Sequence, residues 1–216
     1  YLFVPAEGVA AKVAAVWRSG FSERLLAYRQ EKGLSPMPSP PAVLVQQMVD
    51  AEAAGVAFSA DPVTGRRAIT VVSGVFGLGT ALVSGECDAD TWRVDRVGNI
   101  VERQIATKVT AHRSAPGSAE GVCAEPTAKS DAVRPCLTDA MVVAVAVLAR
   151  RAAMHFGCPQ DIEWALAKGC LYLLQSRPIT SLSVLPDPDG GLNIWDNSNI
   201  AESYGGITTP LTYSFA

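Results

Sequence analysis

Histidine is scarce: His112 and His155 are the only two in 216 residues. That removes the commonest general base from most of the chain. His155 falls in the last turn of a predicted helix, where a cation is mildly favoured. His112 lies in a polar stretch with no partner in view, and no Ser/His/Asp or Cys/His set can be assembled. Charge is sparse too, at 18% of residues with a net of −3. Without a basic cluster or aromatics interleaved with Arg and Lys, a nucleic-acid partner is not expected. Long apolar runs are missing, since the longest, Ala140–Ala149, is about half a membrane span. No membrane partner is expected. Five scattered cysteines (87, 123, 136, 158 and 170) contain no CxxC pair, which removes that kind of metal site. With no signal peptide in view they read as reduced thiols, and the expected compartment is the cytoplasm. The chain opens on Tyr1 rather than Met, which leaves a removed leader open. No Gly-Lys-Ser/Thr follows a glycine loop, so there is no P-loop. No internal repeat is visible.

Apolar residues are plentiful, at 49%, enough for a substantial core in one large domain or two small ones. Tyr1–Val4 reads as a short strand. Residues 8–31 keep a rough 3.6 period through Val9, Val13, Val16, Trp17, Phe21, Leu25 and Tyr28, with Gly20 as a break between two helices. Ala42–Val49 reads as a buried strand, apolar until Gln46-Gln47. Gly55–Ala60 and Ala68–Ser73 read as strands joined by Asp61-Pro-Val-Thr-Gly65, a turn by composition. Trp92–Val97 and Ile100–Ala106 form an expected hairpin, and 111–136 a long surface excursion. Thr138–Phe156 is the clearest helix, with Thr138 as N-cap and Gly157 then Pro159 as its stop.

Two glycine and lysine features keep alternatives open. Gly74-x-x-Gly77-x-Gly79 lacks the dinucleotide spacing; it suits either backbone N–H groups near a phosphate or an ordinary turn needing positive φ. Lys108, after a strand, reads as solvated or as a phosphate contact.

Residues 161–180 are the most informative. Ile162, Trp164, Tyr172 and Leu174 alternate as the apolar face of a β-hairpin. A three-residue loop Ala167-Lys168-Gly169 sets Asp161 opposite Gln175 and Glu163 opposite Leu173. Asp161, Glu163, Gln175 and Arg177 then share one face, whereas a two-residue loop would part the acids from Gln175. Two carboxylates and a carboxamide are oxygen ligands of the kind Mg²⁺ prefers, and an adjacent arginine suits a phosphate. The same residues also fit a plain solvated face with Asp161–Arg177 as a surface ion pair.

Six segments in consistent order resemble the nucleotide-binding domain of the phosphoenolpyruvate synthase and pyruvate phosphate dikinase family. They are Val16-Trp-Arg-Ser-Gly-Phe-Ser with Tyr28-Arg29, Val45-Gln-Gln-Met-Val49, Ala54 to Gly65, Gly77-Leu-Gly79 with Val83-Ser-Gly85, Pro159-Gln-Asp-Ile-Glu-Trp164, and Leu173-Leu-Gln-Ser-Arg-Pro178. The resemblance implies an α/β (α+β) ATP-grasp-like fold with a largely antiparallel sheet and flanking helices. It implies a partial nucleotide-binding domain over 1–180, then a linker and the start of another domain over 181–216. By position, Glu163 and Gln175 match the residues that hold Mg²⁺ and the ATP phosphates, and Arg177 the phosphate-binding, catalytic arginine. Asp161 is a secondary candidate, and Gln47, Met48 and Val49 match the hinge that receives adenine. ATP and Mg²⁺ are the implied substrate and cofactor. The implied partners are a phosphohistidine domain of the same parent chain and pyruvate or another acceptor elsewhere in it.

Departures accompany the match. Thr80 stands where the family carries a glutamate. The family's upstream lobe, whose lysine and Arg-Ser-Ser segment clamp the phosphates, has no counterpart here, nor do the phosphohistidine domain and pyruvate barrel. The expectation is therefore a piece of a longer phosphotransferase, its N-terminal lobe incomplete and inactive alone. Asn197–Leu211 resembles the junction that follows this domain. Two rival readings are an antibiotic phosphotransferase of the rifampicin type and a nucleotide-binding module without turnover.

Overall fold

The computed structural model describes residues 1–35, 37, 39–85, 87–115, 121–182 and 187–190. The expected junction at 197–211 lies outside the described residues. Two helices, α1 (Val9–Ser19) and α2 (Glu23–Glu31), open the chain, with Gly20 between them as expected. Neither buries a residue. Tyr1–Val4 forms no strand. Four apolar-leaning residues satisfy a strand's composition but find no ladder partner.

Ala42–Val49 also forms no strand, and most of it is exposed, Leu44 at 82%. An apolar run reports a tendency to be covered, not the presence of an edge to pair with. Trp17 Nε1 donates to the Pro41 carbonyl at 3.1 Å, which anchors the start of this segment to α1. Val49 packs on Ala51, Ala54, Leu78 and Ala165 at its other end.

The main sheet contains β1 (Ala53–Phe58), β2 (Thr70–Phe76), β3 (Asp90–Val94) and β4 (Ile100–Gln104), joined later by β7 (Gln160–Ala167) and β8 (Cys170–Pro178). Its order is β4-β3-β2-β1-β7-β8, with every neighbouring pair antiparallel. A one-turn helix α3 (Thr80–Val83) follows β2. The region expected as a surface excursion holds a second, two-stranded sheet of β5 (Thr110–Ser114) and β6 (Val122–Pro126), then a one-turn helix α4 (Lys129–Ala132). Its small polar residues hide the alternation by which strands are recognised.

Helix α5 (Asp139–Phe156) covers one face of the main sheet. Thr138 Oγ1 caps the Met141 N–H, and Gly157 ends the helix in the left-handed region at φ 69°. Val142, Val145, Ala146, Ala149 and Ala152 recur at helical spacing and are buried, a stripe facing the sheet. Against it lie Ala53, Ala57, Val72, Trp92, Val94, Ile162, Trp164 and Leu166. Alanines on both surfaces let helix and sheet approach closely, and the two tryptophans fill the wider gaps. Gly74 makes room for Trp164, since a Cβ there would sit 3.0 Å from the indole. Arg150 staples the helix to the sheet rim, donating to Thr70 Oγ1 at 2.8 Å and to the Val94, Asp95 and Arg96 carbonyls. Among the described residues no helix is long and apolar enough to cross a membrane. The sheet's other face is left for a site.

Candidate functional site

The hairpin β7–β8 turns through two residues, Lys168 and Gly169, not three. Both have positive φ, 51° and 74°, the signature of the tight mirror-image turn. The observed register sets Asp161 opposite Arg177 and Glu163 opposite Gln175, correcting the expected pairs. A two-residue loop alone would have put Gln175 on the core face. A β-bulge between Glu163 and Trp164 shifts the ladder by one residue and returns it. Asp161, Glu163, Gln175 and Arg177 therefore share the face away from α5, while Ile162 and Trp164 enter the core. Two apolar expectations fail for the same reason. Tyr172 is 42% exposed, and Leu174 packs with Ala54 and Ala165 on the site face rather than against α5.

A cavity of about 590 Å³ lies over this face. Gln47, Met48 and Val49 line it together with Glu163 and Gln175, so five of the seven candidate residues meet at one space. Its floor at one end is apolar, made by Ala54, Leu78, Ala165 and Leu174. Asp161 and Arg177 lie one step farther along the hairpin. Arg177 donates from Nε to Asp161 Oδ2 at 2.8 Å, with its second nitrogen at 2.7 Å. Asp161 is buried, whereas the Arg177 side chain is 65% exposed. By accepting this hydrogen bond, and then by its charge, Asp161 holds the guanidinium above its ordinary pKa. The other oxygen, Asp161 Oδ1, is buried with no hydrogen-bond partner among the described residues. An orphaned buried acceptor is costly, and a cation or cation-bound water relieves it.

No three His, Cys, Asp or Glu side chains converge on one point among the described residues. The donors that do meet are one carboxylate, Glu163, and one amide oxygen, Gln175. That sparse set suits Mg²⁺, which keeps waters and takes further oxygens from substrate phosphates, and it suits a thiophilic metal poorly.

A family model described as the pyruvate phosphate dikinase AMP/ATP-binding domain matches residues 1–187. The chain belongs to that family. Relatives include a rifampicin phosphotransferase of Streptomyces, 41% identical over 186 residues, or 86% of this chain and 21% of that protein. A probable phosphoenolpyruvate synthase of Methanothermobacter thermautotrophicus is 39% identical over 178 residues, 82% of this chain and 25% of the relative. The prodigiosin synthesizing transferase PigC of Serratia marcescens is 36% identical over 220 residues, 96% of this chain and 24% of the relative. The chain thus spans about a fifth to a quarter of the length of these curated relatives. The antiparallel sheet with its covering helix is the ATP-grasp-like α+β architecture expected of this family, whose description is that of an AMP/ATP-binding domain.

Two residues outside the six resembling segments find their places in the structure. Lys108 is not solvated, and it does not line the cavity. It is buried against Asp90, Nζ to Oδ1 at 2.5 Å, and donates to the Ala106 carbonyl at 2.9 Å. Asp90 also accepts from the Ala106 and Cys136 amides. His112 has a partner that separation in sequence concealed: Nδ1 lies 2.7 Å from Oγ1 of Thr80, 32 residues away. Thr80 lines the cavity. Its departure from the family pattern was the one available signal that this position matters.

Proposed function

We propose that this chain is the nucleotide-binding part of a phosphoenolpyruvate-synthase-like, ATP-dependent phosphotransferase of the dikinase type. The observation that carries the reading is the placement of Glu163 opposite Gln175 on the wall of a cavity that Gln47, Met48 and Val49 also line. In this reading Gln47–Val49 receive the adenine, with Met48 against the ring and backbone groups at its edge. Glu163 and Gln175 hold Mg²⁺ and the phosphates of ATP. Mg²⁺ held there would supply positive charge to offset that of the ATP phosphates. Arg177, exposed and permanently charged, reaches the transferring phosphate and stabilises the charge that develops there. Asp161 acts through Arg177 as its positioning residue, holding Nε and one terminal nitrogen of the exposed guanidinium.

Phosphoryl transfer of this kind needs positioning and charge more than a nucleophile of the site's own. The acceptor is accordingly a histidine on another domain of the whole protein, which passes the phosphate to pyruvate. The whole protein works in the cytoplasm, where its thiols stay reduced. A second reading replaces pyruvate by a drug hydroxyl, and the 41% identity to a rifampicin phosphotransferase favours keeping it in the test.

The test uses the full-length protein that contains this chain. Glu163→Ala should abolish ATP turnover, and near-normal turnover would refute the assignment. AMP formation that depends on pyruvate supports the first acceptor, and AMP formation that depends on rifampicin supports the second. This chain alone should form no phosphoenolpyruvate.

A further inference from the structure

The cavity is graded along the sheet. Its apolar end gathers Ala54, Leu78, Ala165 and Leu174, and its polar end carries Glu163 and Gln175. A nucleotide laid along that gradient rests its base on the first and its phosphates on the second, so the sugar falls between them. Thr80 lines the same cavity. Gly79 before it packs over Ala54 and Gly55, a Cβ built there lying 3.5 Å from Ala54 Cβ and 3.8 Å from the Gly55 amide. Gly55 is followed directly by Val56, the register partner of Glu163.

The Thr80 hydroxyl is not free to rotate. Its contact with His112 Nδ1 at 2.7 Å uses either its hydrogen or one lone pair. His112 is itself fixed, paired across the small sheet with Ala124, its carbonyl accepting the Leu78 amide at 2.9 Å. What remains of the hydroxyl's capacity is available to the cavity that Thr80 lines. If Nδ1 carries a proton, Thr80 offers a hydrogen; if not, it offers a lone pair. A phosphate oxygen, an acceptor only, fits one of these states. A sugar hydroxyl donates and accepts, and fits both.

We propose that Thr80 Oγ1 hydrogen-bonds a ribose hydroxyl of the bound nucleotide, and that His112 is the positioning residue that sets its direction. This rests on the nucleotide reading above. The ligand class is a ribonucleotide in preference to its deoxy counterpart.

The experiment titrates the full-length protein with MgATP, Mg-2′-deoxy-ATP and Mg-3′-deoxy-ATP by calorimetry. The wild type should bind at least one deoxy analogue about fivefold more weakly than ATP, the worth of one hydrogen bond of about 1 kcal/mol. Thr80→Val should bind ATP as weakly as that analogue and discriminate no longer, while Thr80→Ser regains discrimination. His112→Ala should lose discrimination with its affinity for the deoxy analogue unchanged. Such a split is not produced by general loosening, which weakens all three ligands alike. Discrimination that survives in Thr80→Val, or an equal loss for all three nucleotides in both variants, overturns the proposal. A wild type that binds no MgATP overturns the nucleotide reading, and this inference with it.

Discussion

Asp61 shows how one buried carboxylate can be made favourable by its own turn. Burial pushes its pKa up, but the Thr64 hydroxyl at 2.6 Å, the Val63 amide at 3.0 Å and Arg93 all bond the charged form and outweigh burial. The carboxyl is held below its ordinary value. A folded pKa below the unfolded one, about 3.9, gives stability that is full above the unfolded value and drains as pH falls through the folded one. Urea denaturation at pH 7, 5 and 3 should show the loss between the last two. Asp61→Asn should start less stable at pH 7 and fall less steeply on acidification. At this scale the sequence carried the Asp-Pro-Val-Thr-Gly turn and the four polar residues of the hairpin, because period-two alternation fixes which residues share a face. It did not carry Lys108–Asp90 or Thr80–His112, whose members lie 18 and 32 residues apart. Such pairs follow from tertiary docking, which no local pattern encodes.

Turns and ladders govern the next scale. The long helix was legible to its caps, since Thr138, Gly157 and an apolar stripe at 3.6 spacing act locally. The strand expected at Ala42–Val49 failed because pairing depends on an edge elsewhere in the fold. The hairpin β7–β8 is instructive in another way: its loop has two residues where composition suggests three, yet the four polar residues share a face, because the bulge at Glu163/Trp164 compensates. Lys168 occupies a left-handed position at φ 51°, where an L side chain other than Asn or Asp is strained. Lys168→Asn should stabilise the protein by about 0.5–1 kcal/mol, read as a raised melting temperature. Its backbone amide, which donates to Glu52 Oε1 at 2.9 Å, is unaffected by the change. Nucleotide affinity should stay as in the wild type, because the turn lies at the far end of the hairpin from Asp161 and Arg177.

Among the described residues the main sheet carries α5 on one face and the cavity on the other, with a two-stranded ribbon attached at the side. The buried pair Asp90–Lys108 secures the attachment. Asp90 begins β3 of the main sheet, whereas Lys108 lies two residues before the ribbon, and its amide donates to the Ala132 carbonyl at 2.8 Å. Replacing Lys108 by Met keeps length but leaves Asp90 charged, buried and short of its cation. The expected cost is about 3–5 kcal/mol, a large share of the roughly 5–15 kcal/mol that holds a domain together. Equilibrium unfolding should register it as a lower midpoint. An unchanged midpoint would show that Asp90 is satisfied by the Ala106 and Cys136 amides alone.

The ribbon meets the main sheet at the Gly77–His112 bridge, beside the Leu78 amide bond to His112. The cavity itself is lined by no ribbon residue; the ribbon reaches it through His112, which holds Leu78 by its carbonyl and Thr80 by its ring. A ligand held by Thr80 and Glu163 would brace the Thr80–His112 contact from the cavity side, so that occupancy and the integrity of the ribbon's seam rise and fall together.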